Sequence, residues 1–331
     1  MRKGSKGKQN KELYKTKNIN EWNKLYNFYL KHFTDDNREW VFRGEILDSD
    51  DNDNSHIPEK AFKSRLHEDF EYFKICTNKR PNIEKKLIRE FRRNAPIHAH
   101  NQRQENWLDC LALMQHYEGS TRMLDWTYSF FVALYFALNR FKINKDNRDD
   151  SQKGKSCVIW ALDNEWLGDI NKKYEDEFIK KEEDSDNKNS LQKLKEDGRG
   201  WFENYIIHDF IEKEDKNQVS KENAIIYAVN PYYLHQRLSI QRGVLLFPSK
   251  ISISWGKNLE LMLKNKGGQK NHLWKIEILF DNIEIQKQFL QRLYDMNISQ
   301  ASLFPDLDGL AKSLRTRLVT PPFTLNSFLD K

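Results

Sequence analysis

Apolar residues recur along this chain in two rhythms, and the rhythm sets the element. Residues 20–33 carry Trp22, Leu25, Tyr26, Tyr29, Leu30 and Phe33 at spacings of three and four, which predicts an amphipathic helix with Asn20 as its N-cap. The same spacing returns over 61–76 (Phe62, Leu66, Phe70, Phe73), over 82–93 (Ile83, Leu87, Ile88, Phe91) with Pro96 as the stop, and over 106–116 and 283–294. Short apolar or alternating runs predict strands at 40–44, 157–162, 224–229 (closed by Asn230–Pro231), 244–247 and 273–280. A Pro–Asp turn and a terminal helix follow over 302–318.

The most uneven stretch is 115–138, QHYEGSTRMLDWTYSFFVALYFAL. Its first part, 115–127, gathers Gln, His, Glu, Thr, Arg, Asp and Trp around one Gly. Its second part, 129–138, is almost wholly apolar and suits a helix buried on all sides. Thr127 or Ser129 could cap that helix, placing Asp125 at its positive end. Such a polar knot can fix side chains for chemistry or binding. The plainer reading is a cap and loop tied by an Arg122–Asp125 ion pair.

Composition sharpens this outline. The 331 residues are 38% hydrophobic, 31% charged and 13% aromatic, so aromatic side chains must supply much of the core volume. The net charge of +6 is concentrated early, where Arg2, Lys3, Lys6, Lys8, Lys11, Lys15 and Lys17 face only Glu12; residues 1–18 read as a solvated, disordered basic tail. No signal peptide is evident, and the longest apolar run, 130–138, falls short of the roughly 20 residues a membrane helix needs. Cys76, Cys110 and Cys157 are scattered, which points to a reducing cytoplasm and to no metal site; His98 and His100 also lack ligand spacing. Residues 48–55 read as a solvated acidic loop, and 171–223, dense in Lys, Glu and Asp, as an elaboration with helices on the surface, of which 201–211 is the one amphipathic piece. The fold class is therefore α+β: a helical N-terminal layer around a small mixed or antiparallel sheet. It makes one domain over 19–331, with an insertion at about 171–223.

Arg43 ends an apolar strand beside Gly44, a placement that suits recognition of a phosphate or carboxylate, with the glycine admitting a ligand. The alternative is a simple Arg43–Glu45 pair. Phe42-Arg43-Gly44 is the first of three signatures by which the chain resembles the FRG domain family. The second is Gln115-His116-Tyr117, Gly119, Thr121-Arg122 and Leu124-Asp125-Trp126-Thr127 running into the apolar helix. The third is Arg237 with Gln241 and Gly243 before a strand, then LFPDLDGLA at 303–311. Glu118-Gly119-Ser120 and Met123 depart from the usual pattern. FRG domains occur in prokaryotic proteins, often near mobile or defence genes, so the resemblance implies a role against phage.

Three functions compete. The first is an enzyme that consumes NAD as substrate, an ADP-ribosyltransferase or NAD glycohydrolase without a metal, since an Arg-Gly closing an early strand is similar to the first element of Arg-type ADP-ribosyltransferases. The resemblance assigns Arg43 as anion holder, Thr127 or Thr121 as hydroxyl, and Gln241 or Glu277 as the group that stabilises the oxocarbenium ion. Tyr117 and Trp126 would stack on nicotinamide, beside Gly44, Arg122 and Asp125, and His116 would move the proton. A protein or nucleic acid could be the acceptor. The second is a binding module in which Arg43, Arg122 and Arg242 surround a nucleotide or nucleic-acid phosphate. The third is a scaffold in which Arg122 and Arg43 form buried ion pairs. The enzyme reading requires Arg43, the 115–127 knot and Gln241 to share one hollow.

Overall fold

The computed structural model describes residues 12–34, 38–48, 53–58, 60–98, 106–140, 155–183, 199–215, 224–229, 236–267, 271–280 and 282–317. The start of the basic tail, the middle of the acidic loop, His100, parts of the insertion and Asn230–Pro231 lie outside these residues.

Seven strands form one mixed sheet. They are β1 (Lys15–Ile19), β2 (Trp40–Asp48), β3 (Leu124–Thr127), β4 (Lys155–Asp163), β5 (Ile226–Val229), β6 (Gly243–Pro248) and β7 (Leu273–Ile278), in the order β1-β7-β4-β2-β3-β6-β5. The edge strand β1 runs parallel to β7, and every other pairing is antiparallel. The class is α+β, and the sheet is larger than the apolar runs predict.

Side chains alternate across the pleat, and helices cover both faces. Trp40, Phe42, Ile159 and Ile276 point to a face covered by α1 (Trp22–Phe33), α5 (Phe130–Arg140) and α10 (Ile283–Asp295). Val41, Val158, Trp160, Trp126 and Leu246 point to the opposite face. There they meet α4 (Trp107–His116), α6 (Asn164–Glu183), α7 (Arg199–Asp215) and α9 (Trp255–Asn265). Peripheral helices complete the chain: α2 (Arg65–Tyr72), α3 (Arg80–His98), α8 (Gln236–Ile240), α11 (Gln300–Leu303) and α12 (Leu307–Arg317).

Gly44 sits where α5 crosses β2. A Cβ there would stand 1.9 Å from the Ala133 carbonyl oxygen and 2.7 Å from the Ala137 nitrogen. The glycine thus lets helix backbone, not a ligand, approach the strand.

Other differences from the sequence pattern have identifiable causes. β1 begins in the stretch read as a tail, 1–18: Ile19 is its one buried residue, Lys15 lays its ammonium over the Trp274 ring at 4.8 Å, and the strand is held by its ladder to β7 rather than by an apolar row. Pro96 does not stop α3 at once; the helix runs two residues past it to His98, and the ring removes one donor to the Arg92 carbonyl near the helix end. The insertion is not decoration. Ile206, Ile207, Phe210 and Ile211 of α7 are buried in the central core.

Candidate functional site

A cleft of about 920 Å³ opens between the end of α4, the outer side of α5, α8 and the α11–α12 corner. A small arm of about 30 Å³, room for roughly one water, adjoins it: His116 and Arg237 line both, and Gln115, Asp125 and Gln241 line the arm.

Local structure places each wall. Asn106 caps α4 by accepting from the Asp109 N–H at 2.8 Å, and the helix delivers Gln115 and His116 at its far end. The chain then turns through Glu118 at φ 60°, and Gly119 donates back to the Met114 carbonyl at 2.7 Å. A Cβ on Gly119 would press on that carbonyl at 3.0 Å. Arg65 donates to the Glu118 carbonyl and Ser120 to Asp69, so α2 braces the turn. Tyr117, at the tip, is 68% exposed, with its ring edge-on to His116 at 4.9 Å.

The opposite wall holds Arg237 from α8, its guanidinium 4.6 Å above the Phe304 ring. Arg237 is half-buried, and among the described residues its side chain has no hydrogen-bond or ion-pair partner. The acids of the cleft are already engaged. Asp306 accepts from the Gly309 N–H at 2.5 Å at the start of α12, Asp308 pairs with Lys312 at 2.6 Å, and Glu118 pairs with Arg65 at 3.5 Å. A half-sequestered guanidinium with its donors unfilled is poised for an anion.

The residues singled out in the sequence divide into two groups. His116, Tyr117, Asp125 and Gln241 reach the cleft or its arm. Asp125 accepts from Gln115 Nε2 at 2.9 Å, and Gln115 in turn accepts from the Thr121 hydroxyl. Gln241 donates to the Leu303 carbonyl at 3.1 Å. Ser129, not Thr127, caps α5, accepting from the Val132 N–H at 3.4 Å; the Thr127 hydroxyl donates to the Gln241 carbonyl at 2.7 Å and accepts from the Ser129 N–H at 3.0 Å.

The rest lie elsewhere. Arg43 pairs with Glu45 at 2.8 Å and donates through Nη1 to the Asp125 carbonyl at 2.7 Å. β2 and β3 are in register only at Phe42–Thr127, so this guanidinium supplies a donor that the splayed ladder lacks. Arg122 is fully buried and makes no pair with Asp125; its partners are Glu84, Glu214 and the Pro248 carbonyl. Trp126 is core, stacked on Phe62 at 5.6 Å. Glu277 is buried beside Lys275 at 3.0 Å, and β4 and β2 stand between its strand and β3. Arg242 is exposed, at φ 48° in the turn before β6. Arg122 and Gln241 mark opposite ends of β3, roughly 15 Å apart at about 3.3 Å per residue. A hollow shared by Arg43, Arg122 and Gln241 is therefore not formed.

Arg237, Gln300, Phe304 and Asn139 complete the cleft, and none of them carries a periodicity signal. Their one trace in the sequence is the pair of motifs around Arg237 and LFPDLDGLA. Among the described residues, no cluster of His, Cys, Asp or Glu is arranged to hold a metal ion, and no helix is long and apolar enough to cross a membrane. Cys110 is buried, which pushes its thiol up to about 12, and burial raises Cys157 too, so neither is an activated nucleophile.

A mixed-sheet α+β core with a polar side cleft sets the class. Residues 38–147 match the family model of the FRG domain, and the chain carries that domain. No curated protein and no solved structure matches the chain. The cleft straddles the matched segment: His116, Tyr117, Phe136 and Asn139 come from within it, and Arg237, Gln300 and Phe304 from beyond it.

Proposed function

We propose that the cleft binds the phosphates of a nucleotide, that NAD is the ligand, and that the protein cleaves it as a glycohydrolase or ADP-ribosyltransferase. The observation that carries this reading is Arg237, a half-buried cation without a polar partner among the described residues, held over Phe304 in a cleft large enough for a dinucleotide. The anion-holding role thereby passes from Arg43 to Arg237. Tyr117 offers an exposed aromatic face for a base or nicotinamide ring. Asp125, which lines the arm and is exposed, would stabilise positive charge developing on a ribose outside the arm, whose own space holds about one water. As the C–N bond to nicotinamide breaks, water or an acceptor side chain forms the new bond to ribose, and His116 takes the proton released. An effector that depletes or transfers NAD would serve anti-phage defence, the context the family implies. An ADP-ribosyltransferase-like arrangement of the sheet belongs to the same proposal.

The second reading is a phosphate-binding sensor without catalysis, favoured by the acids of the cleft all being engaged with protein partners. Nicotinamide release from NAD separates the two. Turnover by the wild type that is lost in Asp125→Asn and Arg237→Ala, with folding intact, supports the enzyme. An inert wild type that still binds ADP-ribose through Arg237 supports the sensor.

A further inference from the structure

Helix α5 is apolar along nearly its whole length, yet Tyr135 and Asn139, one turn apart, both direct donors at a single atom. The Tyr135 hydroxyl reaches Gln300 Oε1 at 3.0 Å, and Asn139 Nδ2 reaches the same oxygen at 3.2 Å. Gln300 is 8% exposed, opens α11, and lines the cleft beside Arg237 and Phe304. Both contacts fall on its carbonyl oxygen, so turning the amide over would require Asn139 to turn with it and the Tyr135 hydroxyl to accept instead of donate. Its nitrogen has no hydrogen-bond partner among the described residues. Nor is it one of the sealed, partnerless polar atoms, which among the described residues are four tryptophan indoles and Gln291 Oε1. In a residue of the cleft wall, that leaves the NH₂ group open to the cavity.

We propose that Gln300 is a specificity-determining residue: an amide that its two partners on α5 orient with its nitrogen to the cavity, where it donates to a hydrogen-bond acceptor on the nucleotide and disfavours a donor at that place. This rests on the nucleotide reading of the same cleft. A buried polar group built to pair with a ligand discriminates strongly, because a mismatched ligand leaves it unpaired. Two polar residues spent on one oxygen, in an otherwise oily helix, hold the amide in one arrangement.

The test is titration calorimetry of the full chain with ADP-ribose, for wild type, Gln300→Met, Gln300→Glu and Arg237→Ala, with melting curves for each. Gln300→Met keeps the volume and removes the donor; about ten-fold weaker binding is expected, as for one lost hydrogen bond. Gln300→Glu is also weaker at neutral pH, and its ratio to wild type recovers as pH falls, because a protonated carboxyl regains an O–H donor. His116, Glu118, Arg237, Asp306, Asp308 and Lys312 face the same cleft and are common to both proteins, so the ratio compares position 300. Binding by Gln300→Met equal to wild type overturns the inference, as does a Gln300→Glu deficit that does not shrink in acid. If Arg237→Ala still loses affinity in either case, the nucleotide reading stands alone. A wild type that does not bind ADP-ribose overturns both.

Discussion

Replacing Arg122 by Ala tests whether this arginine fastens the fold or serves a ligand. Its Nε donates to Glu84 at 2.7 Å and its Nη2 to the other oxygen of that carboxylate, while Nη1 reaches Glu214 and the Pro248 carbonyl, both at 3.2 Å. The guanidinium also lies 4.8 Å from the centre of the Phe247 ring. Glu214, on α7, further accepts from the Ile251 and Ser252 N–H groups at 2.9 and 2.8 Å. Truncation would leave two buried carboxylates without their counter-ion, a loss of about 3–5 kcal/mol. At about 2.1 cal/mol/K of unfolding entropy per residue, a chain of 331 residues loses roughly 4–7 °C in Tm. The deficit carries a pH signature. Burial already raises the Glu84 pKa, Glu214 adds to the rise, and Arg122 opposes it. Without Arg122 the folded-state pKa climbs further above the unfolded one. A raised carboxyl is penalised above its folded pKa and relieved as pH falls towards the unfolded value, so the mutant–wild type gap should narrow from pH 8 to pH 5. Urea unfolding at several pH values reads this directly. The triple change Arg122→Ala, Glu84→Gln, Glu214→Gln should recover at least half of the loss. A single-mutant loss below about 1 kcal/mol, or a gap that widens in acid, refutes the reasoning.

Three more predictions follow from the packing. Gly44→Ala forces a Cβ into the Ala133 carbonyl and should lower the urea midpoint by about 3 kcal/mol equivalent; a neutral change would mean α5 is not seated on β2. Phe210→Ala on α7, buried in the central core, should destabilise by about 3–5 kcal/mol, and tolerance in the same assay would restore the insertion to a surface role. His67 is buried, with its ring nitrogens bonded to Ser64 Oγ and the Ile253 carbonyl at 2.7 and 2.8 Å, and burial lowers its pKa to about 4. The unfolded chain therefore binds this proton first, and stability falls by about 3 kcal/mol as pH drops from about 6.5 to 4; His67→Gln should flatten that slope.

The α+β class was legible because most strands and helices declare themselves by period. β1 was hidden by its lysines: pairing at a sheet edge depends on backbone donors and acceptors, so a charge-rich segment can still form a strand. β3 was hidden inside the polar block, since four residues are too few to show alternation. α7 was legible as an amphipathic helix over 201–211 but not as core, because a charged segment can bury one apolar row, here Ile206, Ile207, Phe210 and Ile211. At the cleft, His116, Tyr117, Asp125 and Gln241 stood out by residue type and motif, whereas Arg43 and Arg122 drew attention for the same reason and proved to be braced by carboxylates and carbonyls. Whether an arginine is satisfied depends on contacts tens of residues distant, such as the Arg122–Glu214 pair across 92 positions. No local pattern encodes that.

The most direct measurement is a crystal structure of the protein with ADP-ribose bound. The account predicts phosphoryl oxygens at about 2.7–3.2 Å from the Arg237 guanidinium, with a ring of the ligand against Tyr117 or Phe304. Phosphates seated at Arg43, or a ligand bound outside the cleft with Arg237 still unpaired over Phe304, would contradict it.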